Sequence, residues 1–240
     1  MTFASSDETV ATVDAYGVVT IVAETFDTCV ITATSVNESK TCELVVVSDS
    51  AYEVITGLSL ASGTVTPQVV YLEVDADKTC YVVLPDGSVL TSTTGIINTT
   101  WAGAAGAVTL IVQKNTTNLS MDASDFIGIL SINLVSIGAP YCTKLTGTSA
   151  PNATIIDASD CTSLTTLSAP NATAIYASGC ALTDVSIAAL FAELVATGNE
   201  DGTLDISGGT SAVYTSWSGQ AHSDKEALET RGWTLTYTDL

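Results

Sequence analysis

Cys142, Cys161 and Cys180 fall at a constant spacing of 19 residues, and three thiols brought into one line are the set in this chain best suited to hold a soft metal or carry redox chemistry. The spacing argues against both uses, because zinc sites gather cysteine and histidine at short C-x-x-C separations and the only histidine, His222, lies far along the chain. The three thiols are therefore expected to be small apolar fillers with a weak S–H donor for nearby backbone. His222 stands beside Ser223 and Asp224, but neighbouring side chains diverge and a Ser-His-Asp triad is assembled from distant positions. A helix start is the expected role for that run. Asp157 and Asp160 would serve glycoside hydrolysis only if set about 5–9.5 Å apart across a cleft, and both fall on a repeated corner that offers none. Asp75, Asp77 and Asp86 have the oxygen ligands that calcium prefers, although D-x-D at a strand end is more simply a solvated turn. No P-loop, G-x-G-x-x-G or H-E-x-x-H occurs. No catalytic residue, cofactor-binding residue or metal ligand is assigned, no cofactor is implied, and the chain is not expected to be an enzyme.

The elements that would carry the cysteines repeat. Ile137-Gly-Ala-Pro-Tyr-Cys142, Ile156-Asp-Ala-Ser-Asp-Cys161 and Ile175-Tyr-Ala-Ser-Gly-Cys180 share the form I-x-A-x-x-C, and Thr148-Ser-Ala-Pro-Asn-Ala153 and Leu167-Ser-Ala-Pro-Asn-Ala172 alternate with them at the same period. A short apolar-x-Ala strand followed by a tight corner cannot bury its apolar side alone, whereas stacked coils bury it against each other. A small solenoid is predicted. Its Ile, Ala and Cys positions point inward, with equivalent residues about 4.8 Å apart from coil to coil. Asn152 and Asn171 are expected to make corner hydrogen bonds. This run resembles the leucine-rich-repeat-like solenoids of Bacteroidota surface proteins and of phage virion proteins. It departs from them in having Ala or Ile where leucine is usual and a period slightly under the common 20–29 residues.

Composition sets the frame. In 240 residues, 46% are hydrophobic and 6% aromatic, and the richness in Val, Thr, Ala, Ser and Gly favours strands and turns. The fold class expected is mainly β. Asp and Glu number 26 against six Lys and Arg, for a formal net charge of −20. A non-specific duplex binder neutralises about 6–10 phosphates, so the six scattered basic residues exclude nucleic acid as a partner, and an anionic membrane is excluded on the same ground. Strong acidity favours solubility and suits docking on a basic partner. No stretch of 18 apolar residues is present. The opening Met1-Thr-Phe-Ala-Ser-Ser-Asp-Glu8 lacks the basic and apolar regions of a secretion signal, and a reduced protein made in a cytoplasm is expected.

Residues 1–48 contain short alternating runs: Val10-Ala-Thr-Val13, a Tyr16-Gly17 turn, Gly17-Val-Val-Thr20, then Cys29, Ile31 and Ala33, and Cys42, Leu44 and Val46 after a corner at Asn37-Glu-Ser-Lys40. Cys29 and Cys42 are both expected on inward faces, as buried thiols or as a disulfide. The stretch resembles the bacterial immunoglobulin-like group 2 domain on its Ser5-Ser-Asp-Glu-Thr-Val-Ala-Thr-Val13 and Gly17-Val-Val-Thr20 runs. The resemblance implies a sandwich with two further strands before Phe3, so that either the sequence is a fragment or another chain covers the bare edges by strand addition. Ser48–Tyr52 reads as a linker. Residues 53–114 alternate again through Val69–Val74, Cys80–Leu84, a Pro85-Asp-Gly87 corner and Ala107–Val112. This segment resembles a PKD-type module on Asp86-Gly87 and Trp101 to Val112, implying a second immunoglobulin-like β-sandwich.

Residues 115–182 then form the solenoid, with its first coil near 116–136, and residues 183–240 an α/β cap. Ile187, Leu190, Phe191 and Leu194 follow helical spacing, with Thr183 or Asp184 as N-cap and Gly198 as C-cap. Gly202–Gly209 reads as a further strand, Ser223-Asp-Lys-Glu226 as the capping box of a helix ending at Gly232, and Trp233–Thr238 as a closing strand. The Gly202–Gly209 run and the Arg231-Gly-Trp-Thr-Leu-Thr-Tyr237 end resemble the ends of phage tail-fibre and appendage proteins. Taken together the resemblances imply a structural or adhesive protein of a bacteriophage virion, made in the host cytoplasm and partnered by other virion proteins, copies of itself or a host receptor or glycan. The alternative they imply is a fragment of a bacterial cell-surface adhesin or glycan-binding module.

Overall fold

The computed structural model describes residues 1–22, 27–46, 52–60, 62–63, 66–113, 115–122, 124–130 and 134–239. The chain is mainly β, with two α-helices and no closed barrel among these residues, and it divides into two compact units, Met1–Glu53 and Val54–Leu240. The linker expected at 48–52 falls almost wholly on residues outside those described.

In the N-terminal unit, β1 (Thr2–Ser5), β4 (Asp27–Thr34) and β5 (Ser39–Val46) form one antiparallel sheet in the order β1-β4-β5, and β2 (Ala11–Val13) and β3 (Val19–Ile21) form a hairpin. Asp14 makes the turn: its Oδ1 accepts from the Tyr16 and Val18 amides at 2.8 and 2.9 Å. Gly17 follows at φ 85°, where a Cβ would lie 2.8 Å from the Phe3 ring. Val10, Ala11, Cys29, Ile31 and Val46 are the buried core. Cys29 lies opposite Leu44 and Cys42 opposite Ile31. Cys29 is buried but Cys42 is exposed, against the expectation of two inward thiols. Its strand lies at an edge of the sheet.

The second unit begins with antiparallel strands: β6 (Tyr52–Leu60), β7 (Gln68–Val74), β8 (Cys80–Val83), β9 (Val89–Ser92), β10 (Ile96–Trp101) and β11 (Gly106–Gln113). It continues through β12 (Asn118–Ser120), β13 (Phe126–Leu130), β14 (Ser136–Gly138), β15 (Gly147–Ser149), β16 (Ile155–Asp157), β17 (Thr166–Ser168) and β18 (Ala174–Tyr176). After α1 (Asp184–Thr197) come β19 (Thr203–Asp205), a 3-10 turn (Tyr214–Ser216), α2 (Gly219–Thr230) and β20 (Thr234–Thr236). Two sheets collect them, in the orders β10-β7-β12-β14-β16-β18-β19-β20 and β17-β15-β13-β6-β11-β8-β9. In each, pairing changes from antiparallel to parallel at one strand: β12 is antiparallel to β7 and parallel to β14, and β13 is antiparallel to β6 and parallel to β15. The strands of 53–114 and those of 115–182 thus share both sheets and one hydrophobic core.

Parallel pairing fixes the repeat register. Ile137 faces Ile156, Ile156 faces Ile175, and Ile175 faces Leu204 along one ladder, and Ile129, Thr148 and Leu167 stand in line along the other. The central residue of each rung and the following alanine are buried, as Ile156 and Ala158 or Leu167 and Ala169 show. Thr148 breaks the apolar pattern: it is 5% exposed and its hydroxyl has no hydrogen-bond partner among the described residues. An unpaired buried hydroxyl costs about 1–3 kcal/mol, so Thr148→Val is expected to raise stability by about 1 kcal/mol. A higher denaturant midpoint at unchanged m-value checks this.

Where the next rung of the second sheet would fall, 19 residues after Leu167, the chain turns helical at Ser186. Thr183 caps α1 by accepting the Ser186 amide at 3.1 Å, and Gly198 ends it at φ 78°. Ile187, Leu190, Phe191 and Leu194 are its buried face, as the spacing predicts. Ser186 Oγ also accepts the Leu167 amide at 3.3 Å, so the helix satisfies a donor on the edge of β17 instead of extending the sheet. The second helix starts earlier than its predicted capping box: Ser218, not Ser223, is the N-cap, accepting the Ala221 amide at 3.1 Å. Trp217, buried and edge-on to Phe191 at 5.2 Å, anchors the chain immediately before that cap.

Candidate functional site

The cysteine ladder is a stack of hydrogen bonds. Cys142 Sγ donates to the Met121 carbonyl at 2.8 Å, Cys161 to Ala139 at 3.0 Å and Cys180 to Ala158 at 3.1 Å, each reaching back to the preceding coil. All three are buried free thiols. Burial pushes Cys180 up to about 12, and the neighbouring Cys142 thiol together with burial raises Cys161. A thiol held protonated is a poor nucleophile and metal ligand, which covers Cys161 and Cys180; the Cys161 hydrogen bond lowers Cys142 instead, and that thiol is shielded by its complete burial. Native protein at neutral pH is therefore expected to resist alkylation at Cys142, Cys161 and Cys180 and to be modified at all three once unfolded. Peptide mass spectrometry reads the difference, and rapid native labelling at these three would contradict the packing.

The acidic candidates are each engaged locally. Asp75 accepts the Thr117 amide at 2.6 Å and is also held by the Asn118 side chain. Burial works to raise its pKa, but these hydrogen bonds hold it below the ordinary value. Asp86 accepts from the Ser88 hydroxyl and amide at 2.6 and 2.9 Å, which lowers it. Asp77 sits in a turn at φ 61°. The three do not converge, and no group of three or more metal-capable side chains occurs among the described residues. His222 is directed at the Tyr214 carbonyl at 3.0 Å and packs on that ring, while Asp224 is buried and accepts from Gln220. They do not form a triad. Asn171 does make the predicted corner bond, donating to the Pro151 carbonyl at 2.6 Å.

What the repeat does present is its outer face. Strand pairing places Glu73, Ser120, Gly138, Asp157, Tyr176, Asp205 and Thr236 in one row across the eight-stranded sheet. Asp157 Oδ1 is fixed by the Ser159 amide and hydroxyl at 3.0 and 2.7 Å, and Asp205 Oδ1 by Ser207 at the same distances. Between them Tyr176 stands 42% exposed. Adjacent strands lie about 4.8 Å apart, so a ring face is flanked at that distance by a carboxylate on each side. Such a set suits a sugar ring, which stacks on the aromatic and donates its hydroxyls to the acids, or a cationic side chain. Asp157 was legible as a corner acid, but Tyr176 went unnoticed, although it lies one 19-residue period after Asp157.

On the opposite sheet, the outer face of β13, β15 and β17 and the first turns of α1 enclose a groove of about 520 Å³. Gly128 and Gly147, which lack side chains, leave room on its floor, and a Cβ on Gly147 would lie 2.8 Å from Thr166 Oγ1. Ser168 donates to Glu193 across it at 3.0 Å. Among the described residues no helix is long and apolar enough to cross a membrane. No protein-family model, curated protein sequence or solved structure matches this chain.

Proposed function

We propose that this chain is a non-enzymatic structural or adhesive protein of a bacteriophage virion, a tail, fibre or head-decoration component acting through protein-protein or receptor binding. In this reading residues 115–182 are a β-solenoid that shares its sheets with a PKD-like sandwich of residues 53–114, residues 183–240 are its α/β cap, and the N-terminal unit is an immunoglobulin-like domain that docks on a neighbouring protein. The observation that carries it is the shared core of the second unit, one cluster of buried apolar side chains running from Ile55 to Trp233 among the described residues, which supports a rigid body and leaves the outer rows of both sheets for display. The net charge of −20 supports a basic protein partner over nucleic acid or an anionic membrane. The test is mass spectrometry of purified phage particles from the host that carries the gene. Stoichiometric copies support the proposal, and absence from particles whose portal and capsid proteins are detected overturns it.

The second reading, a bacterial cell-surface adhesin or glycan-binding module, is favoured by one feature, Tyr176 exposed between Asp157 and Asp205. Glycan-array binding lost in Tyr176→Ala, together with a longer reading frame bearing a secretion signal, would support it. Full binding by Tyr176→Ala removes its basis.

A further inference from the structure

We propose that the open edge of β3 is the acceptor for one extended strand of a partner protein, apolar at alternate residues and basic between them. The inference rests on the reading above that the N-terminal unit docks on another protein. Five of the fifteen exposed large hydrophobic side chains described in the whole chain, Tyr16, Val18, Val19, Ile21 and Val22, fall within seven consecutive residues. Solitary exposed apolar residues are ordinary, but a concentration of them marks a contact surface.

Backbone pairing says what kind of contact. β3 runs antiparallel to β2 with Ala11 opposite Ile21, Thr12 opposite Thr20 and Val13 opposite Val19. The bonds from the Val22 amide to the Val10 carbonyl and from the Asp14 amide to the Val18 carbonyl continue that ladder at both ends. Backbone groups alternate in direction along a strand, so residues 18, 20 and 22 bond toward β2, and the N–H and C=O groups of Val19 and Ile21 point to the other side. Among the described residues β3 pairs with β2 alone. The free edge is a strand template.

Side-chain placement says what the strand must carry. Residues directly opposite in an antiparallel pair share a face, so Val19 and Ile21 lie on the face of Ala11, which is fully buried, and of Val13, which packs against the core. They are nevertheless 37% and 53% exposed. The core face therefore continues past its cover at β3, in a unit whose described core holds five buried residues. An incoming strand that pairs with Val19 and Ile21 sets its own alternate side chains beside theirs and closes that face, which calls for apolar residues at those positions. Its remaining residues point to the other face of the hairpin, on a unit whose sequence carries nine Asp and Glu against one Lys over residues 1–53, and the long-range field of that charge favours lysine or arginine there.

The test uses the full chain and a blocked six-residue peptide of alternating valine and lysine, with amide hydrogen exchange resolved to single residues. The expected result is fast exchange at Val19 and Ile21 in the chain alone, slow exchange at both with the peptide, and no protection by a peptide with glutamate in place of lysine. Ile21→Pro removes one outward N–H while leaving the Val22 bond to Val10, and should weaken binding about tenfold or more. Ile21→Lys keeps the backbone intact at an already exposed position and should weaken it similarly by setting a charge among the incoming strand's apolar side chains, which covers the case in which the proline variant misfolds. Slow exchange at both residues in the monomeric free chain, equal binding by the variants, or protection elsewhere overturns the proposal. None of these outcomes bears on whether the protein is found in particles.

Discussion

Ala158→Asp is expected to remove most of the stability of the second unit. Ala158 is 1% exposed and stands in line with Ala139 and Ala177, both equally buried. Its amide donates to the Tyr176 carbonyl at 2.7 Å and its own carbonyl accepts the Cys180 thiol at 3.1 Å, so neither backbone group is free to receive a new side chain. A carboxyl placed here either stays charged without a partner or takes up a proton. With an ordinary Asp pKa near 3.9, holding it neutral at pH 7 costs about 4 kcal/mol, and overpacking adds about 1–3 kcal/mol. Domains of this size are stable by about 5–15 kcal/mol. The sign of the pH dependence follows from burial. The folded-state pKa of the new acid is raised above its unfolded value, so the electrostatic penalty is present in full above the folded pKa. It fades as pH falls through that value, and is gone below about pH 4. Thermal unfolding of variant and parent at pH 7 and pH 4 should show a large gap that narrows in acid. An unchanged melting temperature at pH 7 would mean that position 158 does not face the interior.

The inward register behind that expectation was legible because it needs only the period. Ile, Ala and Cys recur at fixed offsets, and a side chain that must avoid water at one coil must avoid it at the next. The first helix was legible for a similar reason: Ile187, Leu190, Phe191 and Leu194 switch the apolar spacing from rungs to one helical face. The sharing of two sheets between the antiparallel strands and the repeats was not legible. Alternation along Val69–Val74 or Ala107–Val112 tells which residues point inward but not which strand lies alongside, since pairing is a contact between distant segments. The same blindness hid the outer row. Asp205 stands next to Tyr176 only because α1 and its connections lengthen that coil to 29 residues, and no constant period points to it. The start of α2 was misplaced for a local reason. Ser223 and Glu226 match the capping box, but Ser218 follows the buried Trp217, and tertiary anchoring decided between two serines of equal intrinsic quality.

Helices at the end of the repeat also have a physical reason. Each added rung would leave a new edge of unpaired backbone, and a further strand after β17 of the kind seen at Thr148-Ser-Ala150 and Leu167-Ser-Ala169 would do the same. Ser186 instead offers a hydroxyl to the Leu167 amide, while the helix behind it buries Phe191 and Leu194 over the end of the core. The first sheet runs on for two more rungs, β19 and β20, carried by the two helical connections.

A deletion in register should therefore be tolerated where one a single residue shorter is not. Removing residues 156–174 joins Ile155 to Ile175, so that Ile175 takes the place of Ile156 opposite Ile137. Every contact of the lost coil has a counterpart: the Cys180 thiol meets the Ala139 carbonyl in place of Cys161, and Ser186 meets the Thr148 amide in place of that of Leu167. Stability falls by one coil's share of a nearest-neighbour stack, and a cooperative transition with native near-ultraviolet circular dichroism is expected. Removing 156–173 instead places Ala174 opposite Ile137 and sends each following side chain of the ladder to the other face, exposing Ile175 and turning Tyr176 toward the core. That variant is expected to lose its cooperative transition and to bind a hydrophobic dye, as a chain with collapsed but unspecific packing does. The two variants differ by one residue in length, so composition and charge cannot account for a difference between them. Equal behaviour of the two deletions, folded or unfolded, would show that the 19-residue register does not govern the packing of this unit.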